Sequence, residues 1–311
     1  MERWLVTGGA GFIGSHLVDR LCDDGIEVRI LDDFSNGQRA NIAHHGSGVE
    51  LHEADLRDLD AVRKAVHGCS VVIHLGALGS VPRSIADPVT TNDVNIGGTL
   101  NVLVAARDAG VARVVFSSSS SVYGDTPTLP KIESMPARPR SPYALSKYAG
   151  EEYCRIFAQQ YDMCAVSLRF FNVFGPRQRP DSQYAAVIPR WIAAMKHGER
   201  PIVHGDGSQT RDFTFVANNV QACIDVARAP AVAVGGEVFN LACGARHSLL
   251  DLLDGINSGL GTAINPIFTD PRAGDVHDSH AAIDKAQGAF GYRPTIGFDD
   301  GLAKTIAAMP G

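Results

Sequence analysis

The chain has 311 residues, 45% of them hydrophobic and 20% charged, so at roughly 100 to 200 residues per domain it holds about two globular units with a sizeable core. Lys+Arg number 28 against Asp+Glu 34, a formal charge of -6, and no basic run stands out that could neutralise a phosphate backbone, which sets nucleic acid aside as a partner. No stretch approaches about 18 uninterrupted apolar residues and Met1 to Gly8 lacks the pattern of a signal peptide, so no membrane partner and a cytoplasmic location are expected.

From Trp4 to Asn172, short β-branched runs alternate with longer segments of helical period, the pattern of repeated βαβ units and a parallel sheet. Strands are expected at Trp4 to Thr7, Glu27 to Leu31, Val49 to Glu53, Val71 to Leu75, Arg113 to Ser117 and Ala165 to Phe170. Between them Ile13-Leu17-Leu21, Leu59-Val62-Val66 and Leu100-Leu103-Val104 repeat at three and four residues and read as crossover helices. The fold class is therefore α/β, a doubly wound parallel sheet, over residues 1–174. After Phe174 come Gly175-Pro176, a polar stretch and shorter elements, which start a smaller substrate lobe. A helix-like segment, Asn218 to Arg228, and the run Glu237 to Leu241 form one further αβ unit, so residues 212–242 are expected to rejoin the sheet. The second lobe, 175–211 and 243–311, is then discontinuous.

Thr7-Gly8-Gly9-Ala10-Gly11-Phe12-Ile13-Gly14 follows the first strand and opens the first helix. Without Cβ atoms, Gly8 and Gly11 let a pyrophosphate reach the amides of the helix N-terminus, and Gly14 lets the helix sit against the strand. The second strand ends in Asp32, 18 residues after Gly14, close to the expected place of an acid that receives an adenosine ribose. That carboxylate would repel a 2′-phosphate, so the expected cofactor is NAD rather than NADP. Arg39 is the nearby residue that would spoil this preference. No G-x-x-x-x-G-K-[ST] occurs, which removes the P-loop reading of the same glycines.

The run Ser117 to Ser121 places hydroxyls at the carboxyl end of a strand, where open α/β sheets bind ligands. Tyr143 and Lys147 lie four apart on one helix face. Lowering a phenol from about 10 to about 7 takes about 4 kcal/mol of preferential phenolate stabilisation, which an ammonium one turn away and an oxidised nicotinamide are expected to supply. Such a phenolate is a general base for a substrate hydroxyl, which a neighbouring serine orients. An isolated Tyr-x-x-x-Lys would read as a surface pair; here the cofactor turn and the serine-ended strand stand beside it.

Together these residues resemble the extended short-chain dehydrogenase/reductase family, in particular its UDP-hexose 4-epimerases, over nearly the whole chain. The matching segments include Thr7 to Gly14, His74 to Ala77, Asn95 in Asn-Ile-Gly-Gly-Thr, Ser119 to Gly124, Ser141 to Lys147, Leu168 to Asn172, Gly205 to Phe213 and Arg272 to Asp275. Ala77 to Ser84 and Tyr184 to Pro189 look most like the branch acting on N-acetylated UDP-sugars. The resemblance implies Ser119, Tyr143 and Lys147 as the catalytic group. It implies NAD contacts from Gly8, Gly11, Phe12, Ile13, Gly14, Asp32, Asp33, Asn36, Gly37, Asp55, Leu56, Leu75, Gly76, Ala77, Asn95, Tyr143, Lys147 and Phe170. The UDP-sugar would meet Ser80, Ser119, Ser120, Ser121, Tyr143, Asn172, Arg179, Ala186, Val187, Arg211, Arg272, Asp275 and Ser279. Relatives also pair into homodimers through helices near Asn92 to Ala109 and Ser141 to Tyr161.

The implied reaction interconverts gluco and galacto sugars through a 4-keto sugar, with NAD kept and regenerated. Dehydratases of the family follow the active serine with carboxylates, whereas this chain has Ser120 and Ser121; the glutamate of UDP-glucuronate decarboxylases is missing too. For the sugar, a small Ser279 favours UDP-N-acetylglucosamine alongside UDP-glucose, while Arg179 resembles the carboxylate-binding arginine of UDP-glucuronate 4-epimerases, so both readings stay open. A nucleotide-sugar reductase and a nucleotide-sensing scaffold are the rivals. The six cysteines form no C-x-x-C pair and no H-E-x-x-H or G-x-S-x-G occurs, so no metal and no hydrolase chemistry are expected, and His44-His45 reads as a solvated loop.

Overall fold

A computed structural model of the chain describes residues 2–180, 186–271 and 278–309. In chain order, β1 (Arg3–Thr7) leads through the glycine turn into α1 (Phe12–Asp23), followed by β2 (Glu27–Asp32), β3 (Val49–Glu53), α2 (Leu59–Val66) and β4 (Val71–His74). Next come α3 (Val81–Ala86), α4 (Pro88–Asn92), α5 (Gly98–Asp108), β5 (Arg113–Ser119), α6 (Pro142–Tyr161) and β6 (Cys164–Phe170). The chain then builds β7 (Val173–Phe174), α7 (Val187–Lys196), β8 (Ile202–His204), β9 (Thr210–Arg211) and β10 (Thr214–Phe215), and returns through α8 (Val216–Arg228) and β11 (Val238–Leu241).

Seven strands form one sheet in the order β11-β6-β5-β4-β1-β2-β3, every neighbouring pair parallel. Successive side chains on a strand face opposite sides, so Trp4 and Val6 join the core under α1 and α8, while Leu5 joins the core under α2, α5 and α6. Both faces are covered, which explains the near-continuous apolar strands of the sequence. The order reverses between β1 and β4, and at such a switch point the strand ends open a crevice for a ligand.

Local chemistry fixes where the helices begin. Asp58 caps α2 by accepting from the amides of Asp60 and Ala61 at 3.1 and 3.0 Å. Ser141 caps α6 by accepting from the Ala144 amide at 3.1 Å, with Pro142 as the first helical residue. That start places Tyr143 in the first turn and Lys147 one turn later.

Several strand ends differ from expectation by one or two residues, and two of these shape the crevice. β5 continues to Ser119 because its pairing with β6 holds as far as Phe170, and β4 stops at His74 because the chain turns away there to line the crevice. The second lobe is made of two-stranded pieces and of the helices Leu249–Leu260 and Phe298–Ala308, which pack together. Among the described residues no helix is long and apolar enough to cross a membrane. All six cysteines are free, and burial pushes the Cys154 and Cys223 thiols up to about 12, so neither is a thiolate at neutral pH.

Candidate active site

A cleft of about 550 Å³ opens across the carboxyl ends of β1, β2, β4 and β5. Its floor is the glycine turn. Gly8 sits at φ 69°, and a Cβ on it would lie 2.8 Å from Gly76 Cα. A Cβ on Gly14 would lie 2.1 Å from the Gly8 carbonyl oxygen. No side chain caps α1 and its first turn carries no acid, so its N–H groups and the positive end of its dipole face the cleft. A pyrophosphate fits this cradle, and NAD is the group that the residues around it suit.

Gly11, Phe12, Ile13, Asp33, Asn36, Gly37, Asp55, Leu56, Leu75, Gly76, Ala77 and Phe170 all line the cleft. Asp32 lines it too, buried, its carboxylate accepting from the amides of Ala10 and Phe34, both at 2.9 Å. Each oxygen keeps a lone pair for a ribose hydroxyl. Burial raises the Asp32 pKa, and the two amides oppose that rise. Arg39, the residue set to spoil the preference for NAD, ion-pairs with Glu53 and lies 4.1 Å over the Phe34 ring, outside the cleft lining. Asn95 is placed differently from expectation: it is buried off the cleft. Its Oδ1 accepts from the Leu78 amide at 2.8 Å and its Nδ2 donates to Ser146 Oγ at 3.0 Å, so it ties the cleft loop to α6.

Behind this wall runs a closed hydrogen-bond chain. The Gly76 amide donates to Thr7 Oγ1 at 3.1 Å, and Thr7 Oγ1 lies 2.7 Å from His74 Nδ1. Thr99 Oγ1 donates to the Asn95 carbonyl, so it accepts from His74 Nε2, 3.0 Å away. His74 is therefore neutral with its proton on Nε2, and Nδ1 accepts from Thr7. Burial, with help from the Lys147 charge, pushes its pKa down to about 3.

Ser119, Tyr143 and Lys147 meet on the cleft wall. The Ser119 hydroxyl stands close enough to the Tyr143 phenol to favour its ionised form, and it accepts from the Ser121 amide at 3.2 Å. Lys147 is buried, donates to the Ser117 carbonyl at 2.8 Å, and lies 6.0 Å from the Tyr143 ring centroid. Burial raises the Tyr143 pKa, with the Ser119 hydroxyl opposing it, so the phenol of the protein by itself is a weaker acid than usual. Lys147 is turned to the Ser117 carbonyl and is itself pushed down to about 8 by burial, against the pull of Glu151.

On the sugar side, Ser80 and Ser120 line the cleft, whereas Ser121 does not and its buried Oγ has no partner. Asn172, with Val173 and Gln178, borders both this cleft and a second cavity of about 300 Å³ lined also by Ala186, Val187 and Arg211. Asn172 Nδ2 donates to the Asp212 carbonyl and to Ser279 Oγ, both at 3.1 Å, which sets Ser279 against the junction. Arg179 is exposed and lines neither cavity. Arg272 and Asp275 lie outside the described residues.

Two lining residues and one buried behind the wall went unnoticed in the sequence. Arg83 lines the cleft and donates to Asn36 Oδ1 at 3.1 Å; its only signal was its place one turn after the capping Ser80. Gln178 joins the two cavities from a stretch that read as a polar loop. Glu151 had a clearer signal, one turn beyond Lys147 on the same face. It is buried, takes Arg169 through two bonds of 2.9 and 2.7 Å, and accepts from Ser118.

The chain is similar to known proteins over nearly all of its length. The sequence pattern of the NAD dependent epimerase/dehydratase family matches residues 4–242. A UDP-glucose 4-epimerase of Mycolicibacterium smegmatis is 41% identical over 308 residues, 98% of this chain and 97% of that one. A putative UDP-glucose 4-epimerase of Methanocaldococcus jannaschii is 39% identical over 309 residues, again 98% and 97%. Among solved structures, a UDP-N-acetylglucosamine 4-epimerase from Methanobrevibacter ruminantium, in complex with UDP-N-acetylmuramic acid, superposes with a TM-score of 0.94 at 38% identity, covering 99% of this chain and 97% of that one. With the parallel sheet, the glycine cradle and the hydroxyl pair at its edge, these similarities place the protein: it belongs to the NAD dependent epimerase/dehydratase family of extended short-chain dehydrogenases/reductases, as an epimerase that uses NAD.

Proposed function

We propose that the protein inverts carbon 4 of a UDP-sugar, with UDP-N-acetylhexosamine and the neutral UDP-hexose as preferred substrates. The observation that carries this reading is that Ser119, Tyr143 and Lys147 line one cleft wall beside the glycine cradle, with Asn172 leading from the same cleft into the second cavity. The dinucleotide occupies the cradle, Asp32 takes the ribose, and Asp55 and Leu56 meet the adenine end. UDP lies toward Asn172 and Arg211, with Arg272 and Asp275 completing its site; arginines suit the diphosphate charge.

Bound NAD supplies the hydride acceptor and donor at carbon 4. Tyr143 takes the proton of the sugar 4-hydroxyl, and Ser119 holds that oxygen in line. Lys147 turns from the Ser117 carbonyl toward Tyr143 and the nicotinamide ribose, where its charge offsets the burial that raises the phenol. The 4-keto sugar presents its other face, and Tyr143 returns the proton. No net redox change occurs, so the cofactor has to stay bound through the cycle.

Ser279 beside Asn172 is a small side chain at the junction, which suits an N-acetyl or neutral sugar. UDP-glucuronate is the second reading, and it rests on Arg179. Incubation with UDP-glucose, UDP-N-acetylglucosamine and UDP-glucuronate in turn, with carbon 4 read by proton NMR, tests both. Inversion of none sinks the epimerase reading, and fastest inversion of the uronate moves the preference to Arg179. The same reading pairs two chains through α5 and α6, where Leu145 and Ile156 are exposed; a monomer in sedimentation would remove that part.

A further inference from the structure

Away from both cavities, α1 carries Asp19, and the short 3-10 turn of residues 43–48 brings His44 and His45 onto it. Both imidazoles direct Nε2 at one carboxylate oxygen: Asp19 Oδ1 lies 2.9 Å from His44 Nε2 and 2.8 Å from His45 Nε2. The two rings stand 4.0 Å apart, tilted by 39°, and the three possible ligand atoms all lie within 4.8 Å of one another. The other oxygen of Asp19 receives Arg177 Nη2 at 2.7 Å. Among the described residues no other group of three histidine, cysteine or acidic side chains converges in this way.

We propose that Asp19, His44 and His45 form a binding site for one divalent cation of the zinc class, with Arg177 fixing the orientation of the carboxylate. Two imidazole nitrogens and one carboxylate oxygen are a donor set for zinc, cobalt or nickel, whereas calcium and magnesium prefer oxygen alone. Zinc bound at about 2.0 to 2.2 Å in a tetrahedron holds its ligands about 3.3 Å apart, so the two separations from Asp19 Oδ1, 2.9 and 2.8 Å, need only a small outward movement. The fourth position is left to water, because His44 and Asp19 are partly open to solvent.

Arg177 occupies Asp19 Oδ2 and leaves Oδ1 to the imidazoles, as a hydrogen-bond donor does when it orients a ligating carboxylate. Its positive charge also weakens the site, so micromolar rather than tighter binding is expected. No spacing pattern points to this cluster, since Asp19 stands 25 residues ahead of His44 on a different element.

An ion here would join three parts of the fold. It would pin α1, which opens at the glycine turn, to the segment between β2 and β3. Through Arg177 it would reach the loop in which the Pro176 carbonyl meets His16 Nε2 of α1 at 2.9 Å. The role is to stiffen these parts, since none of the three ligands lines either cavity.

The test is equilibrium dialysis of the purified, chelator-treated protein against buffered Zn2+, with thermal unfolding followed in parallel. The expected result is one saturable ion per chain and a raised unfolding midpoint. In a His44→Gln/His45→Gln variant and in Asp19→Asn, the affinity falls at least about tenfold and the midpoint no longer responds to zinc. Co2+ in place of zinc separates this site from the free thiols: visible bands without thiolate charge-transfer absorption support it. No saturable uptake, uptake unchanged in the histidine variant, or thiolate bands would each overturn the proposal.

Discussion

The two ends of the binding groove are built by different means. At the dinucleotide end one contiguous run, Gly8 to Gly14, forms the cradle, and a hydrogen-bond chain across the adjacent strands β1 and β4, through Thr7, His74 and Gly76, holds it. At the sugar end, residues 172, 212, 243, 244 and 279–281 come from separate segments. There the Asp212 carboxylate accepts from the amides of Cys243, Gly244 and Ala281 at 2.9, 3.2 and 3.3 Å. Each end hides a strongly shifted titratable group, and burial drives the two in opposite directions. His74 goes down to about 3 and Asp212 up to about 6, because in both cases the charged form loses its water. Neighbours in sequence make a rigid floor, and one buried carboxylate gathers strangers into a wall.

The sharpest way to break this picture is at the reacting atom that sits between the two ends. Tyr143→Phe is expected to lower turnover at least about 100-fold, the scale of a lost general base, while NAD still copurifies. Activity above a few per cent would remove the tyrosine from its role. Next in size is the floor itself. Gly14→Ala drives a methyl to 2.1 Å from the Gly8 carbonyl, which should cost about 1–3 kcal/mol of stability and empty the cradle, read as NAD lost on gel filtration.

The two buried groups give a test that separates the ends by sign. For His74 the folded pKa of about 3 lies below the unfolded 6.5. Its stabilisation is present above pH 6.5 and is lost as the pH falls toward 3, by up to about 1.4 kcal/mol per unit. For Asp212 the folded value of about 6 lies above the unfolded 3.8. Its contribution is present in acid and is lost as the pH rises from 3.8 through 6. Between about pH 4 and 6 the two oppose each other in the native protein. In His74→Gln the urea midpoint should therefore rise on acidification across that window, and in Asp212→Asn it should fall. The same slope in both variants would refute the pairing.

Asp212→Asn also tests the wall directly. One amide oxygen replaces two carboxylate oxygens before three N–H donors, so an unpaired backbone donor costs about 1–3 kcal/mol. KM for the UDP-sugar should rise with NAD occupancy unchanged; equal damage to both would show that the ends are not separable. The smallest effect belongs to Arg39→Ala. An exposed ion pair contributes under about 1 kcal/mol, and the preference for NAD over NADP should persist. A change in that preference would mean that Arg39, not Asp32, reads the ribose.

Much of the first end was legible without coordinates, because strand alternation, helical period and the spacing from Gly14 to Asp32 are properties of neighbours along the chain. The sheet, its crossovers and the meeting of Ser119, Tyr143 and Lys147 at a strand end belong to that class. What stayed hidden depends on partners far away in sequence. Asn95 turns to Leu78 rather than to the cleft, Arg39 is taken by Glu53, and Ser279 finds Asn172 across 107 positions.

The sequence by itself determined the parallel α/β fold, the turn for a dinucleotide and the types of side chain available for proton transfer, since local backbone and spacing dictate them. Tertiary structure alone decided the acidity of those side chains. Burial raises the Tyr143 phenol of the protein by itself and keeps a histidine neutral down to about pH 3. Proton affinity follows the water and charge around a group, and only the packed chain sets those.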